Sequence, residues 1–238
     1  MKKLEGKVAL ITGASRGIGK GIAEAFAEEG ADLVLVARNL AELTHNAAQL
    51  AHKGVTAIPV QADVTDEKQV HDAFEFVQAR FGRLDLLVNN AGKGDHAPLD
   101  EMTVETWDRS IALNLRGPFL CTRQAFRMMK NTRSGRIINI GSIAGRRARI
   151  HTAPYAASKA GVWALTEVTA LEGREFGITC GCVFPGNVLV ERLRDRKEPM
   201  MPISSVAQTV LLMASLPPDV SLLEAVVLPR DQPYVGRG

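Results

Sequence analysis

The 238-residue sequence has little of what marks several common classes of protein. Its three cysteines, Cys121, Cys180 and Cys182, lack the paired spacing of a disulfide framework or a zinc site. This favours buried, reduced thiols and a cytoplasmic location. No cluster of His and Cys residues supplies further ligands, so we predict no metal site.

Long apolar runs are absent as well. No stretch approaches the roughly 18 uninterrupted apolar residues that a membrane-spanning helix needs. The opening MKKLEGKVALITG reaches Gly13 before its apolar run is long enough for a signal peptide. The formal net charge is only +3, and the basic residues are mostly scattered, so the sequence does not indicate nucleic-acid binding. We therefore expect neither a membrane nor a nucleic acid as partner.

What the sequence does have is a regular alternation of short apolar segments and longer amphipathic ones. Seven segments have the character of strands: KVALI, ADLVLVA, VTAIPV, LDLLVN, GRIINI, ITCGCVF and EAVVLP. Because continuous apolar strands are buried on both faces, they predict a parallel sheet with helices on each side. Right-handed crossovers then give a doubly wound α/β, or Rossmann, fold of about seven strands. We expect one domain over residues 1–238, with residues 230–238 as a loose tail.

Three helix starts can be placed. Asp66 is suited to cap the segment that follows it, and Thr103 with Thr106 stands before a long stretch that ends near Met129. Pro154 falls where a proline is tolerated in the first turn of a helix.

A glycine-rich turn follows the first predicted strand and opens a helical pattern. Glycines let the backbone turn tightly and approach a pyrophosphate, while the helix presents unpaired N–H groups and the positive end of its dipole. The order strand, turn, helix predicts a nucleotide site rather than a merely flexible loop. Its candidate residues are Gly13, Ser15, Arg16, Gly17, Ile18 and Gly19.

The end of the second strand indicates which dinucleotide is preferred. A fold that selects NAD usually places an acid there, roughly 20 residues past the glycines, to bind the ribose hydroxyls. This sequence has Arg38 and Asn39 instead. Arg38 is suited to a two-pronged contact with a 2′-phosphate, with no acid at that place to repel it, which favours NADP. The alternative is that Arg38 is a solvated residue at the start of a helix.

Tyr155 and Lys159 lie four residues apart on one predicted helix, so they share a face. An unperturbed phenol titrates near about 10, too high for efficient proton donation at neutral pH, and a nearby ammonium favours the phenolate. The pair is a candidate acid/base group, although the same spacing also occurs on ordinary helix surfaces.

Taken in order, the motifs resemble those of the short-chain dehydrogenase/reductase family. The resemblance runs from Lys7 to about Pro229 and is far more specific than any one motif. It is carried by TGASRGIG, Asp63-Val64, Asn89-Asn90-Ala91-Gly92, Asn114, Ser142, Tyr155-x-x-x-Lys159 and Pro185-Gly186.

The resemblance implies a role for each matching residue. Ser142 would hold the substrate oxygen and Tyr155 would transfer its proton. Lys159 would bind the nicotinamide ribose and tune Tyr155, and Asn114 would hold a water that continues the proton path. Taken singly, Ser142 and Asn114 could instead be a helix cap and a buried amide. The remaining implied cofactor contacts are Asp63, Val64, Asn90, Ala91, Gly92, Pro185, Gly186 and Val188.

The sequence also departs from the family pattern. Val190 stands where many members have a threonine that helps to hold the nicotinamide carboxamide, which puts that contact in doubt. The stretch between Pro185 and Val206, which in the family folds over the substrate, is short, and the last strand is not followed by Asp-Gly-Gly.

Basic residues gather in two loops that should border the substrate entrance. Arg146, Arg147 and Arg149 stand between Ser142 and Tyr155, and the second loop contains Arg192, Arg194, Arg196 and Lys197. They suggest a preference for an anionic substrate, although solvated surfaces or a subunit contact would also explain them. His96 and His151 are further candidates for substrate contact, unless they are simply exposed loop residues.

The sequence therefore predicts an NADP-dependent oxidoreductase that moves a hydride between nicotinamide and a carbonyl or alcohol. A 3-oxoacyl thioester reductase is the alternative within that class. A non-catalytic NADP-sensing protein is the alternative outside it. By resemblance, we expect a homotetramer or homodimer assembled through the helices that contain Asn114 and Tyr155.

Overall fold

The computed structural model describes residues 2–190 and 198–233. Its strands form one parallel sheet of seven in the order β3-β2-β1-β4-β5-β6-β7. The strands are β1 Val8–Thr12, β2 Asp32–Ala37, β3 Ala57–Gln61, β4 Leu86–Asn89, β5 Gly135–Ile140, β6 Ile178–Pro185 and β7 Glu224–Val227. Each predicted apolar segment forms one of them, and the predicted doubly wound fold is confirmed. The order reverses between β1 and β4, where a doubly wound sheet opens its ligand crevice.

In the part of the chain that the structure describes, seven α-helices cover the two faces of the sheet. They are α1 Gly17–Glu28, α2 Leu40–Ala51, α3 Glu67–Phe81, α4 Val104–Ile111, α5 Gly117–Thr132, α6 Ala153–Gly173 and α7 Ile203–Ser215. Buried residues of α1, α2 and α7 pack on one face, and those of α3, α5 and α6 pack on the other. Within residues 2–190 and 198–233, no helix is long and apolar enough to cross a bilayer.

The helix starts predicted from the sequence are those observed. The Asp66 carboxylate accepts hydrogen bonds from the main-chain N–H groups of the first turn of α3, and the Thr103 hydroxyl accepts one from Thr106 in α4. Pro154 lies in the first turn of α6. The long stretch after Thr103 is not one regular helix, because a π-helical turn, Ala112–Arg116, separates α4 from α5. Such turns widen a helix locally and are frequent at functional sites.

At the amino edge of the sheet, polar groups are satisfied by one another. The buried carboxylate of Asp85, just before β4, accepts a hydrogen bond of 2.9 Å from the Val8 main-chain N–H at the start of β1. The same carboxylate pairs with Lys7 and Arg83. Because it fixes the starts of two neighbouring strands, Asp85 is a structural residue.

Arg136, in β5, is the second anchor of that edge. Its guanidinium is buried and donates to the main-chain carbonyl oxygen of Met213 in the last turn of α7. It also donates to three carbonyl oxygens that follow the helix, those of Leu216, Pro217 and Val220. Burial lowers the pKa of the Arg136 guanidinium, although arginine stays protonated at neutral pH. Arg136 thus supplies the donors that the carboxyl end of α7 lacks.

Candidate functional site

The glycine turn after β1 is shaped for close approach. Gly13 and Gly17 have φ values of 65° and 59°, which favour glycine. A methyl group on Gly19 would overlap the carbonyl oxygen of Gly13. Arg16 precedes the first turn of α1 without a capping hydrogen bond from its side chain, and that turn contains no acid. The positive end of α1 is therefore uncompensated by these residues, and the turn fits a pyrophosphate.

The loop after β4 holds this turn from the other side. The side-chain amide of Asn90 donates to the carbonyl oxygens of Thr12 and Gly13, at 2.9 and 3.1 Å. The Thr12 hydroxyl accepts from the main-chain N–H groups of Asn90 and Ala91. The side-chain nitrogen of Asn90 is thus engaged with the glycine turn and helps to shape it.

Arg38 lies directly after β2, and its side chain is 78% exposed. One of its guanidinium nitrogens lies 3.9 Å from the Asp63 carboxylate, which follows β3. The prediction that no acid lies near Arg38 was therefore wrong, because the pairing of β2 with β3 brings Asp63 beside it. The other Asp63 oxygen accepts two hydrogen bonds from Thr65. Asn39 caps α2, so its side chain is engaged there.

The π-helical turn places Asn114 under the loop after β4. The fully buried Asn114 amide donates to the carbonyl oxygens of Lys93 and Ser110, and its oxygen accepts from the Lys93 N–H at 3.0 Å. A methyl group on Gly92 would lie 2.8 Å from this oxygen and 3.5 Å from the Lys159 ammonium. Asn114, Gly92 and Lys159 are therefore immediate neighbours.

Tyr155 and Lys159 share one face of α6. Lys159 is 4% exposed, and its ammonium donates a 2.7 Å hydrogen bond to the carbonyl oxygen of Ile140 at the end of β5. The ammonium lies 5.8 Å from the centroid of the Tyr155 ring. Among the described residues, no carboxylate forms an ion pair with Lys159.

Ser142 begins the turn that follows β5. Its hydroxyl accepts a 3.1 Å hydrogen bond from the Ala144 N–H and starts a short 3₁₀ turn, Ile143–Gly145. Gly145 packs so tightly on α6 that a methyl group there would lie 2.7 Å from the main chain of Lys159. The turn that contains Ser142 thus rests against the helix that contains Tyr155 and Lys159.

Two residues that the sequence reasoning missed hold the loop after β6. Gln232 is 6% exposed, although it lies in the segment predicted as a loose tail, and its side-chain oxygen accepts a 2.7 Å hydrogen bond from the Asn187 N–H. The Asn187 amide donates to the Glu198 carboxylate, which also pairs with Arg149. Pro185, Gly186 and Val188, the predicted nicotinamide contacts, lie in or beside this loop. A glutamine and a glutamate distant in sequence give no local signal of such a contact.

The basic loop after Ser142 is largely neutralised. Arg146 pairs with Glu224 and Arg149 pairs with Glu198, so two of the three arginines predicted to attract an anionic substrate already have carboxylate partners. Arg147 is exposed and forms no ion pair with a described residue. The four basic residues of the second loop, Arg192, Arg194, Arg196 and Lys197, lie outside the described residues.

The histidine loops are joined by their main chains. The carbonyl oxygen of His151 accepts a 3.1 Å hydrogen bond from the Ala97 N–H, next to His96. His151 has a φ of 64°, a left-handed conformation that costs energy in a residue with a side chain. Both histidines are exposed, and the loops that contain them meet beside α6.

These features form one continuous neighbourhood along the carboxyl ends of β1, β4 and β5. The profile of the short chain dehydrogenase family matches residues 7–200 of the chain. The chain belongs to the short-chain dehydrogenase family. Its members are oxidoreductases that bind a nicotinamide cofactor, NAD or NADP, and act on small molecules.

Individual relatives agree on this family and differ in what they act on. The short-chain dehydrogenase described here is 38% identical over 223 residues to the uncharacterized oxidoreductase YxjF of Bacillus subtilis, covering 94% of this chain and 82% of the relative. It is 38% identical over 210 residues to a 3-oxoacyl-[acyl-carrier-protein] reductase of Synechocystis, covering 87% and 85%. A crystal structure of a short-chain type dehydrogenase/reductase from Mycobacterium marinum superimposes with a TM-score of 0.89 at 31% identity, covering 95% of both chains.

Proposed function

We propose that this short-chain dehydrogenase is an NADP-dependent oxidoreductase that transfers a hydride between nicotinamide and a carbonyl or alcohol. The observation that carries the proposal is the buried Lys159 ammonium, held by the Ile140 carbonyl beside the Tyr155 ring. Lysine is almost never buried unless it is paired, because desolvating an ammonium is costly. Here no carboxylate among the described residues compensates Lys159, so burying its charge does not help the protein to fold. A catalytic role accounts for its position.

Each catalytic side chain has one task in this proposal. Ser142 holds the substrate oxygen through its hydroxyl, and Tyr155 gives its phenolic proton to that oxygen during reduction. The Lys159 ammonium stabilises the phenolate that Tyr155 leaves behind. When bound, the nicotinamide supplies the hydride for reduction or accepts it in the reverse direction. Positioned proton transfer of this kind typically contributes about 100- to 10,000-fold.

Asn114 is the fourth residue of the proposed catalytic set, and its contacts limit which of its atoms can bind a water. Its side chain is occupied by Lys93 and Ser110. A water that continues the proton path from Lys159 would therefore be held by the main-chain carbonyl of Asn114, in the π-helical turn.

NADP is the proposed cofactor because two exposed arginines lie near the turn and the strand end that would hold the adenosine ribose. Arg16 lies at the start of α1 and Arg38 after β2, and both side chains are exposed. The glycine turn and the start of α1 would hold the pyrophosphate. Asp63 and Val64 would flank the adenine, and residues 90–92 and 185–188 would line the rest of the cofactor. A 2′-phosphate would compete with Asp63 for the guanidinium of Arg38, at a distance that leaves the contact exchangeable.

Fluorescence titrations with NADPH and NADH test the cofactor directly. We expect NADPH to bind at least about tenfold more tightly, and Arg38→Ala to remove most of that difference while leaving NADH binding unchanged. Tighter binding of NADH by the wild type would contradict the role given to Arg38.

A carbonyl panel tests the reaction. The 3-oxoacyl thioester is one member, because the Synechocystis relative has that activity in its name. Neutral and anionic ketones matched in size form the other arm, and Arg147, His96 and His151 are the proposed substrate contacts. Binding of NADPH without turnover of any member would favour the NADP-sensing alternative.

The assembly is proposed to be a homodimer or homotetramer in the cytoplasm. Large apolar side chains are exposed on neighbouring helices, Phe119 on α5 and Val168 and Leu171 on α6. Light scattering should give a mass above that of the 25.7 kDa monomer, and charged substitutions at Val168 and Leu171 should lower it. Three unpaired, buried thiols suit a reducing compartment.

A further inference from the structure

Arg146 is the most heavily engaged side chain of the loop that follows Ser142. Its guanidinium carbon lies 4.2 Å from the ring centroid of Trp163 and 4.6 Å from that of Phe184. The same guanidinium forms an ion pair with Glu224. The two rings contact each other at 5.5 Å between centroids, so the arginine is seated on an aromatic pair.

The partners of Arg146 come from three different elements. Trp163 belongs to α6, Phe184 to the end of β6, and Glu224 to the edge strand β7. A planar guanidinium can stack on rings with its faces and bind a carboxylate with its edge, which a lysine ammonium cannot do. The arrangement therefore suits an arginine better than a lysine of the same charge.

The neighbouring Arg147 shows what the same residue type does without such a seat. The main-chain N–H groups of Arg146 and Arg147 both donate to the carbonyl oxygen of Ile143, at 2.9 and 2.7 Å. Among the described residues, Arg147 forms neither an ion pair nor a ring contact. Two adjacent arginines with a shared backbone acceptor thus differ in the contacts of their side chains.

The seat matters because Arg146 directly follows the turn that contains Ser142. That turn is short and is held locally by the Ser142 hydroxyl and the Ala144 N–H, a contact of 3.1 Å. At the far end of the turn, the Arg146 side chain fixes the chain to α6, β6 and β7. Small displacements of a reacting group can cost about 100-fold in rate, so fixing both ends has catalytic value.

We propose that Arg146 is a positioning residue, which sets the Ser142 hydroxyl by seating the following turn on Trp163, Phe184 and Glu224. The inference rests on the proposed role of Ser142. It also separates Arg146 from the substrate: its charge is spent on Glu224, and it would not distinguish an anionic substrate from a neutral one.

Hydrogen exchange measured by mass spectrometry tests the seat in the protein without any substrate. Arg146→Met should speed exchange in peptides covering residues 141–152 about tenfold, and Arg146→Lys should do nearly the same, because it keeps the charge but loses the stack. Arg147→Met should leave exchange there unchanged. Wild-type exchange in Arg146→Met would overturn the proposal.

Steady-state kinetics test the consequence for Ser142. Arg146→Met should lower kcat about 10- to 100-fold, equally for anionic and neutral ketones, with NADPH binding within about twofold of wild type. Arg146→Lys should not restore kcat. Arg80→Met is the matched control, because it removes an arginine from an aromatic ring, Phe81, outside the site, and it should leave kcat unchanged.

Two further variants keep the outcomes separable. Glu224→Gln leaves the arginine and both rings in place, so it should fold if Arg146→Met does not, and it should speed exchange about threefold. Ser142→Ala reports on the proposed function itself: if it retains wild-type turnover, the role of Ser142 fails while the exchange data still decide the seat. If Ser142→Ala is inactive and Arg146→Met retains wild-type kcat, the positioning role of Arg146 is wrong.

Discussion

The amino and carboxyl edges of the sheet place polar groups beside the same apolar core and treat them differently. At the amino edge, Asp85 is matched by two cations and the Val8 N–H, and Arg136 is matched by four carbonyl oxygens. At the carboxyl edge, α1 starts without a capping side chain or an acid, and the Lys159 ammonium has a carbonyl but no carboxylate among the described residues.

The difference separates stability from chemistry. Closed hydrogen-bond sets are worth most to folding, because a buried polar group without a partner is costly. Open donors cost stability and remain available to a ligand, so they gather where a ligand binds. If this division is correct, substitutions at the carboxyl edge should change activity, and substitutions at the amino edge should change the free energy of unfolding.

The largest effect is expected from Tyr155→Phe at the carboxyl edge. It removes only the proposed proton donor, so kcat should fall by about 100- to 10,000-fold. Urea unfolding should stay within about 0.5 kcal/mol of wild type, because the ring and its packing are retained. A large fall in the free energy of unfolding of Tyr155→Phe would contradict the proposed division between the two edges.

Arg136→Met is the corresponding change at the amino edge. It leaves several carbonyl oxygens at the end of α7 without a donor, and we expect a loss of about 3 kcal/mol in unfolding free energy. Turnover per folded molecule should remain near wild type. The exposed Arg80→Met variant serves as the control, and equal stability of the two variants would argue against a role of Arg136 in holding α7.

Asp85→Ala should cost somewhat less. The Val8 N–H loses its buried acceptor, worth about 1–3 kcal/mol, while Lys7 and Arg83 can turn to water because both are about half exposed. Asp72→Ala, which breaks an exposed pair with Lys68, should change stability by less than about 0.5 kcal/mol. Chemical denaturation of both variants measures the contrast.

The smallest effect concerns the core between the two edges. Burial raises the pKa of Cys121 from its ordinary 9.0 to about 12, and that of Cys182 also to about 12. The unfolded chain therefore loses these protons first as pH rises, so stability should fall above about pH 9, by roughly 1 kcal/mol per thiol at pH 10. In urea unfolding measured at several pH values, Cys121→Ala should reduce the fall of the unfolding free energy with pH. An unchanged pH dependence would contradict the raised pKa of Cys121.

Much of the fold was predictable because its signals are local. Strands buried on both faces give uninterrupted apolar runs, and Asp66 and Thr103 cap helices within three residues of themselves. The glycine turn is equally local, since its close approaches demand glycine whatever surrounds them. These features need no knowledge of which strand pairs with which.

What could not be predicted are contacts between distant parts of the chain. Arg146 and Glu224 are 78 residues apart, and the sequence around Arg146 suggested a substrate contact instead. Asp63 comes beside Arg38 only through the pairing of β2 with β3. The π-helical turn at Asn114 was also missed, because its residues have ordinary helix-forming character.

The hydrogen bond between Gln232 and Asn187 has a consequence for how the sequence can vary. Gly186 has no left-handed φ that would demand glycine, yet a methyl group there would overlap the Gln232 side-chain oxygen. The same methyl group would lie 2.9 Å from the end of the Leu228 side chain. Alanine at 186 should therefore be harmful alone and better tolerated once residue 232 is shortened, provided that the Leu228 side chain moves aside. The sizes of the residues at positions 186 and 232, which are far apart in the chain, should then covary among related sequences.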